Sequence, residues 1–266
     1  MKSKLTTTLT ELNALVCGST SGIGLSTAQE FAASGVSVTL FARDEEKLKK
    51  IIPSLKSSNG QTHQYLIGDF NNPNNIQEIV KSHITSGNKY HILINNSGGP
   101  KGGPIVDADI SEFIEGFNRH LICNHILTQA LLPGMKDYNY GRIINIISTS
   151  VKEPIPGLGV SNTIRGAVAS WAKTLSIEVS KKSITVNNIL PGFTNTDRLS
   201  SLIQEKSKSQ GKSENDIALD MKKQVPLGRF GLPQETAKAI AFLASPAAGY
   251  INGVSLAVDG GRLNSI

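Results

Sequence analysis

The sequence predicts an α/β fold: a doubly wound, seven-stranded parallel sheet with helices on both faces. Three observations carry the prediction. Seven short apolar runs are bounded by turn residues, and helical stretches of about 10 to 20 residues separate them. A glycine-rich turn, Gly18-Ser19-Thr20-Ser21-Gly22-Ile23-Gly24, joins the first run directly to the first helical stretch.

The strands are expected at 14–17, 37–41, 63–67, 92–95, 142–147, 185–189 and 255–258. Their valine, isoleucine and leucine content lacks polar alternation, as burial on both faces of a parallel sheet requires. The first helix, 22–34, places Ile23, Thr27, Phe31 and Ala32 on one stripe toward the sheet, and Gly35 stops it. Segment 198–224 is polar, rich in Lys and Ser and weakly periodic. It reads as a mobile substrate flap, not a core element, lining the entrance with Pro154-Ile155-Pro156-Gly157.

At 266 residues and 39% apolar, the chain suffices for one large core. It holds no Pro/Gly/Ser-rich linker, repeat or low-complexity tract, so 1–266 is read as a single dinucleotide-binding domain. Lys and Arg number 27 against 21 Asp and Glu, a net charge of +6. The lysines fall in scattered pairs (Lys49-Lys50, Lys181-Lys182, Lys222-Lys223) without interleaved aromatics, so no nucleic-acid partner is expected, while the excess suits a phosphate-bearing ligand. Cys17 and Cys123 lack CxxC spacing, which speaks against a metal site or disulfide framework and fits a reducing compartment. No run approaches the roughly 18 apolar residues of a membrane span, and the first residues, MKSKLTTTLTELNALVCG, show no long apolar leader. The expectation is a cytoplasmic protein with no membrane partner.

Position gives the glycine turn its meaning. Glycines let the backbone turn sharply and approach a pyrophosphate, and the N–H groups and positive end of the following helix favour the anion. The turn, at the first strand-to-helix junction of a repeating β-α chain, marks a Rossmann-type dinucleotide site. Its GxxxGxG spacing resembles the short-chain dehydrogenase/reductase family, with Cys17 where that family usually has threonine. Asp69, beside Phe70, resembles the adenine-contacting aspartate. Asn95-Asn96-Ser97-Gly98 is similar to the family's NNAG turn. Pro191-Gly192, with Thr194 just beyond, resembles the turn beside the nicotinamide, and Val258-Asp259-Gly260-Gly261 the C-terminal VDGG. The likeness runs from Leu12 to Gly261 and is strongest toward the 3-oxoacyl carrier-protein reductase branch.

For the cofactor, Ala42 stands where an acid would bind the ribose 2′-hydroxyl of NAD, and Arg43 follows it. A guanidinium there pairs with a 2′-phosphate, which favours NADP, with NAD the alternative. The competing reading is that Arg43 merely tops the next helix beside Asp44 and Glu45.

The resemblance implies a catalytic tyrosine, a lysine four residues later, a serine and an asparagine. Ser148 matches the serine. Thirteen positions on stands Ser161, four further stands Arg165, and the asparagine position falls on His120, with Asn118 and Asn124 nearby. The flanking Gly166-Ala167-Val168 and Trp171-Ala172-Lys173-Thr174-Leu175 resemble the family's helix, so these are substitutions and not a shift of frame. A serine hydroxyl is a poorer proton donor than a phenol. Arg165 cannot donate its proton, but its fork can bind the cofactor ribose or an acid group. His120 can relay a proton through water, or it is a hydrogen-bonded core histidine. His125 is expected to face away from His120, and His63, His83 and His91 to be structural. Tyr65, Tyr90, Tyr138, Tyr140 and Tyr250 all fall at the wrong end of the sheet.

The leading expectation is an NADP-dependent oxidoreductase interconverting a carbonyl and an alcohol on a small-molecule or acyl-thioester substrate, similar to a 3-oxoacyl thioester reductase. The alternative is a catalytically silent dinucleotide-binding protein, a redox sensor or assembly subunit. By resemblance, helices at 110–135 and 160–181 build a homodimer or homotetramer.

Overall fold

The structure, a computed structural model, describes residues 6–265. The reading of residues 1–5 as part of a leaderless start lies outside the described residues. Along the chain come β1 (Asn13–Cys17), α1 (Gly22–Ala33), β2 (Ser37–Ala42), α2 (Glu45–Ile51), β3 (Gln64–Ile67), α3 (Pro73–Thr85), β4 (Ile92–Asn95), α4 (Ile110–Phe117) and α5 (Cys123–Tyr138). Then follow β5 (Gly141–Ile146), α6 (Gly159–Val179), β6 (Ile184–Pro191), α7 (Asp197–Gln210), α8 (Glu214–Lys223), α9 (Pro233–Ala244) and β7 (Ser255–Val258). The seven strands form one parallel sheet in the order β3-β2-β1-β4-β5-β6-β7. All seven expected strands are present, β4 and β7 with the expected bounds and the other five with ends shifted by one or two residues; β6 is longest because β5 and β7 both pair along it.

Alternate residues of β1 enter different layers. Ala14 and Val16 pack with Phe31 of α1 and Ile240 and Leu243 of α9, while Leu15 and Cys17 pack with Leu127 and Leu131 of α5 and Ala172 of α6. This two-sided burial explains why the strands show no polar alternation. Helix α1 buries Thr27, Phe31 and Ala32 as expected, Ile23 only partly, and it ends before Gly35, whose φ of +85° a side chain would strain.

From the last residue of β4 to the first of β7, a row of three buried amides and a serine crosses the sheet. Asn95 Nδ2 donates to Asn145 Oδ1 at 2.8 Å, Asn145 Nδ2 to Asn188 Oδ1 at 2.9 Å, and Asn188 Nδ2 to Ser255 Oγ at 3.2 Å. Strand register puts each pair directly opposite. Each amide in the row donates to the next side chain, leaving Asn95 Oδ1 without a partner, and the row ties together the strands whose loops build the site above.

Segment 198–224 has regular structure and a small buried seam of its own. It is a helical hairpin, α7 and α8, whose Leu199, Ile217 and Met221 are buried against Phe193, Leu202, Ile203 and Phe230. The weak periodicity arose because few apolar residues are needed to seat so small a seam. No helix among the described residues is long and apolar enough to cross a membrane. Among them no group of three or more His, Cys, Asp and Glu side chains could hold a metal ion.

Candidate functional site

The sheet order reverses between β1 and β4, which opens a crevice beyond the carboxyl ends of the strands. A cavity of about 700 Å³ occupies it. Gly18, Thr20, Ser21, Gly22 and Ile23 line one end, with Ala42, Arg43, Asp69 and Phe70; Ser148, Ser161 and Arg165 line the other. Asn96, Ser97 and Gly98, after β4, and Pro191, Gly192 and Thr194, at and beyond the end of β6, also line it.

Two residues of the glycine turn support it from behind. Ser19 is fully buried, and a Cβ on Gly24 would collide with the carbonyl oxygen of Gly18. Gly18 itself has φ +58°, and a Cβ there would lie 2.7 Å from Asn96 Nδ2, which donates to Gly18 O at 3.2 Å. The turn is therefore folded on itself and on the loop after β4, a form open only to glycine. Helix α1 starts with no acidic residue in its first turn and no side-chain cap, so its N–H groups remain free for an anion.

Arg43 is exposed on the cavity rim. Its neighbours Asp44 and Glu45 are engaged elsewhere: Asp44 caps α2 through Lys47 N at 3.0 Å, and Lys49 pairs with Glu45 at 3.1 Å. Neither contact involves the Arg43 guanidinium. Asp69 accepts from Asn71 N at 3.0 Å, and Phe70 packs edge-on against Phe41 with ring centroids 5.3 Å apart.

Ser148 stands at the end of β5, where its Oγ accepts from Ser150 N at 3.1 Å and starts a single helical turn. Arg165, on α6, is only 8% exposed. It donates from Nη1 to Ile146 O at 3.1 Å, and its Nε has no partner. Burial, then the charges of Arg198 and Arg119, pull the guanidinium down to about 10, so it stays charged at neutral pH.

His120 is 2% exposed, within the π-helical turn Asn118–Ile122 that links α4 to α5. It is not on the cavity wall. Its Nδ1 lies 2.7 Å from Ser97 Oγ, and Ser97 does line the cavity; Nε2 has no partner. Burial, followed by Arg165 and Arg119, holds the imidazole well below its usual range, hence neutral. Of the two readings the sequence left open, a relay and a hydrogen-bonded core histidine, the burial and the Ser97 contact are compatible with both. His125 is exposed beside Trp171, away from His120. His63, His83 and His91 bond to Val38 N, Tyr90 and Asn13 N in the scaffold. No tyrosine or lysine is among the described residues lining the cavity.

Sequence reasoning missed three further arginines on the wall: Arg119, Arg198 and Arg262. Arg119 precedes His120, Arg198 starts the polar hairpin and Arg262 follows the Val258–Gly261 motif, but no spacing marks them as one group. Arg262 donates to Thr149 Oγ1 at 3.2 Å and lies 4.3 Å over the Phe193 ring.

A parallel sheet in this order, with a folded glycine turn at its switch point, defines the doubly wound Rossmann class. Within that class, the chain belongs to the short-chain dehydrogenase/reductase family: the family described as enoyl-(acyl carrier protein) reductase matches residues 18–262. The chain is 30% identical over 253 residues to a 3-oxoacyl-acyl-carrier-protein reductase of Chlamydia trachomatis, covering 95% of this chain and 98% of that one. The corresponding enzyme of Haemophilus influenzae is 32% identical over 248 residues, covering 93% and 96%. L-sorbose reductase of Gluconobacter frateurii, solved with NADPH and L-sorbose, superposes with a TM-score of 0.91 at 30% identity over 98% and 99% of the two chains.

Proposed function

We propose that this protein is an NADP-dependent oxidoreductase that interconverts a carbonyl and an alcohol. The observation that carries the reading is the continuity of the cavity, which runs from the glycine turn and Arg43 to Ser148, Ser161 and Arg165. The similarity to 3-oxoacyl reductases and to a sugar reductase solved with NADPH supports it.

The glycine turn fits a dinucleotide, since it lines the cavity and leads into the start of α1, which has neither an acidic residue in its first turn nor a side-chain cap to compete with a pyrophosphate. In this assignment Gly18 to Gly24 and the start of α1 hold the pyrophosphate, Arg43 the 2′-phosphate, and Asp69 and Phe70 the adenine. Asn96, Ser97, Gly98, Pro191, Gly192 and Thr194 hold the nicotinamide half. When bound, the reduced nicotinamide supplies hydride to the carbonyl carbon.

The chain's own groups do the rest. Ser148 and Ser161 donate to the carbonyl oxygen, and the Arg165 charge stabilises the negative charge that develops there. Ser97, on the wall with the neutral His120 behind it, gives protons a route to the cavity. The α7–α8 hairpin acts as the flap over the substrate. Val106, Ile110 and Ile114 are exposed apolar residues on and before α4, and that face supports a homodimer or homotetramer, to be checked by sedimentation.

Titration with NADPH, followed by turnover on a panel of ketones and 3-oxoacyl thioesters, tests the reading. Tight NADPH binding with no turnover across the panel would sink it. One observation favours a second reading, a catalytically silent dinucleotide binder: the wall lacks the tyrosine and lysine of the family pattern. A Ser161→Tyr, Arg165→Lys double variant that gains carbonyl reduction from an inactive parent would establish that second reading.

A further inference from the structure

The cavity holds positive charge that the proposed cofactor assignment does not use. A Cβ built on Gly99 would lie 3.8 Å from Arg165 Nη2 and 3.9 Å from Arg198 Nε, so the two guanidiniums flank one point of the wall. Arg165 is buried with Nε unpartnered, and Arg198, at the mouth, spends one N–H on Pro100 O at 2.9 Å. Of the other arginines on the wall, Arg43 is assigned to the cofactor 2′-phosphate, and Arg119 and Arg262 have acids near them. Arg119 has Glu115 at 3.8 Å and Asn71 Oδ1 at 2.6 Å, Arg262 faces Asp259 and Glu153, and Arg229 pairs with Glu235 at 2.6 Å. Asp69 and Asp197 are the acids on the cavity wall, and neither is within ion-pair distance of Arg165 or Arg198 among the described residues.

A buried cation without a counterion is destabilising, and a second guanidinium near it adds repulsion. Such a pair is stabilised by an oxyanion, which a guanidinium fork binds with two parallel hydrogen bonds. We infer that Arg165 and Arg198 form an oxyanion subsite, so that the substrate carries a carboxylate or phosphate close to the carbonyl or hydroxyl presented to Ser148 and Ser161. The inference rests on the oxidoreductase reading and narrows its substrate class to compact oxo acids or oxo phosphates and their alcohols. Ile155, Leu158, Leu199 and Leu202 line the same cavity and leave a short apolar wall for the remaining carbons.

Matched pairs of substrates, differing only in charge, test this with NADPH: acetoacetate against ethyl acetoacetate, and dihydroxyacetone phosphate against dihydroxyacetone. The expected result is a preference of about 100-fold in kcat/KM for the anion of one pair, with the pair identifying carboxylate or phosphate. In Arg198→Met that preference falls at least about 10-fold, through KM, while the NADPH dissociation constant stays the same. Equal use of charged and neutral partners, or a preference that survives Arg198→Met, overturns the subsite. If nothing turns over, calorimetric titration of acetoacetate and of inorganic phosphate into NADP-loaded protein decides. Binding abolished by Arg198→Met retains the subsite and removes the oxidoreductase reading, whereas no binding of either probe overturns the subsite.

Discussion

Ser97 Oγ and His120 Nδ1 lie 2.7 Å apart, joining the loop after β4 to the π-helical turn between α4 and α5. Both positions depart from the family pattern, serine in the NNAG-like turn and histidine at the asparagine site, and the fold makes one contact of the two changes. The histidine is held neutral by burial, and its only partnered ring nitrogen reaches the cavity through Ser97.

That burial sets a pH dependence. Below the ordinary histidine pKa near 6.5, the unfolded chain takes up a proton that folded His120 refuses, so its contribution to stability is complete above about pH 6.5 and is lost as pH falls below it. His83 and His91, also lowered by burial, add in the same direction. Urea unfolding at pH 8, 7, 6 and 5 should show a plateau above 7 and then a decline of at most about 1.4 kcal/mol per pH unit for each histidine. His120→Asn should flatten the decline, and an unchanged slope would mean that His120 is not held neutral.

Gly24→Ala should abolish cofactor binding, because the added methyl meets the Gly18 carbonyl and no flexible side chain is there to yield. Fluorescence titration with NADPH should show the loss. Thermal unfolding should fall by the equivalent of about 1–3 kcal/mol as the turn is forced open.

Arg43→Asp should weaken NADP by about 10- to 100-fold and leave NAD unchanged or improved, since a charge-assisted contact to the 2′-phosphate is replaced by repulsion. Paired titrations of the two cofactors measure this. Equal loss for both would remove Arg43 from 2′-phosphate recognition.

Asn145→Leu should destabilise the sheet by about 2–5 kcal/mol. It leaves Asn95 Nδ2 and Asn188 Oδ1 buried without their partners, each costing about 1–3 kcal/mol. Chemical denaturation reads the total, and a change under 1 kcal/mol would mean that the row of amides contributes little.

Much of the fold was legible because its signals are local. Each strand is a short apolar run, and the turn Gly18 to Gly24 is one continuous segment whose glycines are required by positive φ at Gly18 and Gly22 and close approach at Gly24. The seam of the α7–α8 hairpin was not legible in the sequence because its three buried residues pack on Phe193 and Phe230, which belong to other segments.

The sequence by itself determined the doubly wound sheet, the glycine cradle and the substitutions at Ser161, Arg165 and His120, because each is set by residue type and spacing along one stretch of chain. Only the tertiary structure decided that His120 stands behind Ser97 and that Arg165, from α6, and Arg198, from α7, flank the wall at Gly99 with no carboxylate in ion-pair distance among the described residues. Those relations depend on strand register and helix packing between segments more than 20 residues apart in the chain. A guanidinium has the same spacing signature whether it ends paired or alone; burial and its neighbours in space determine which.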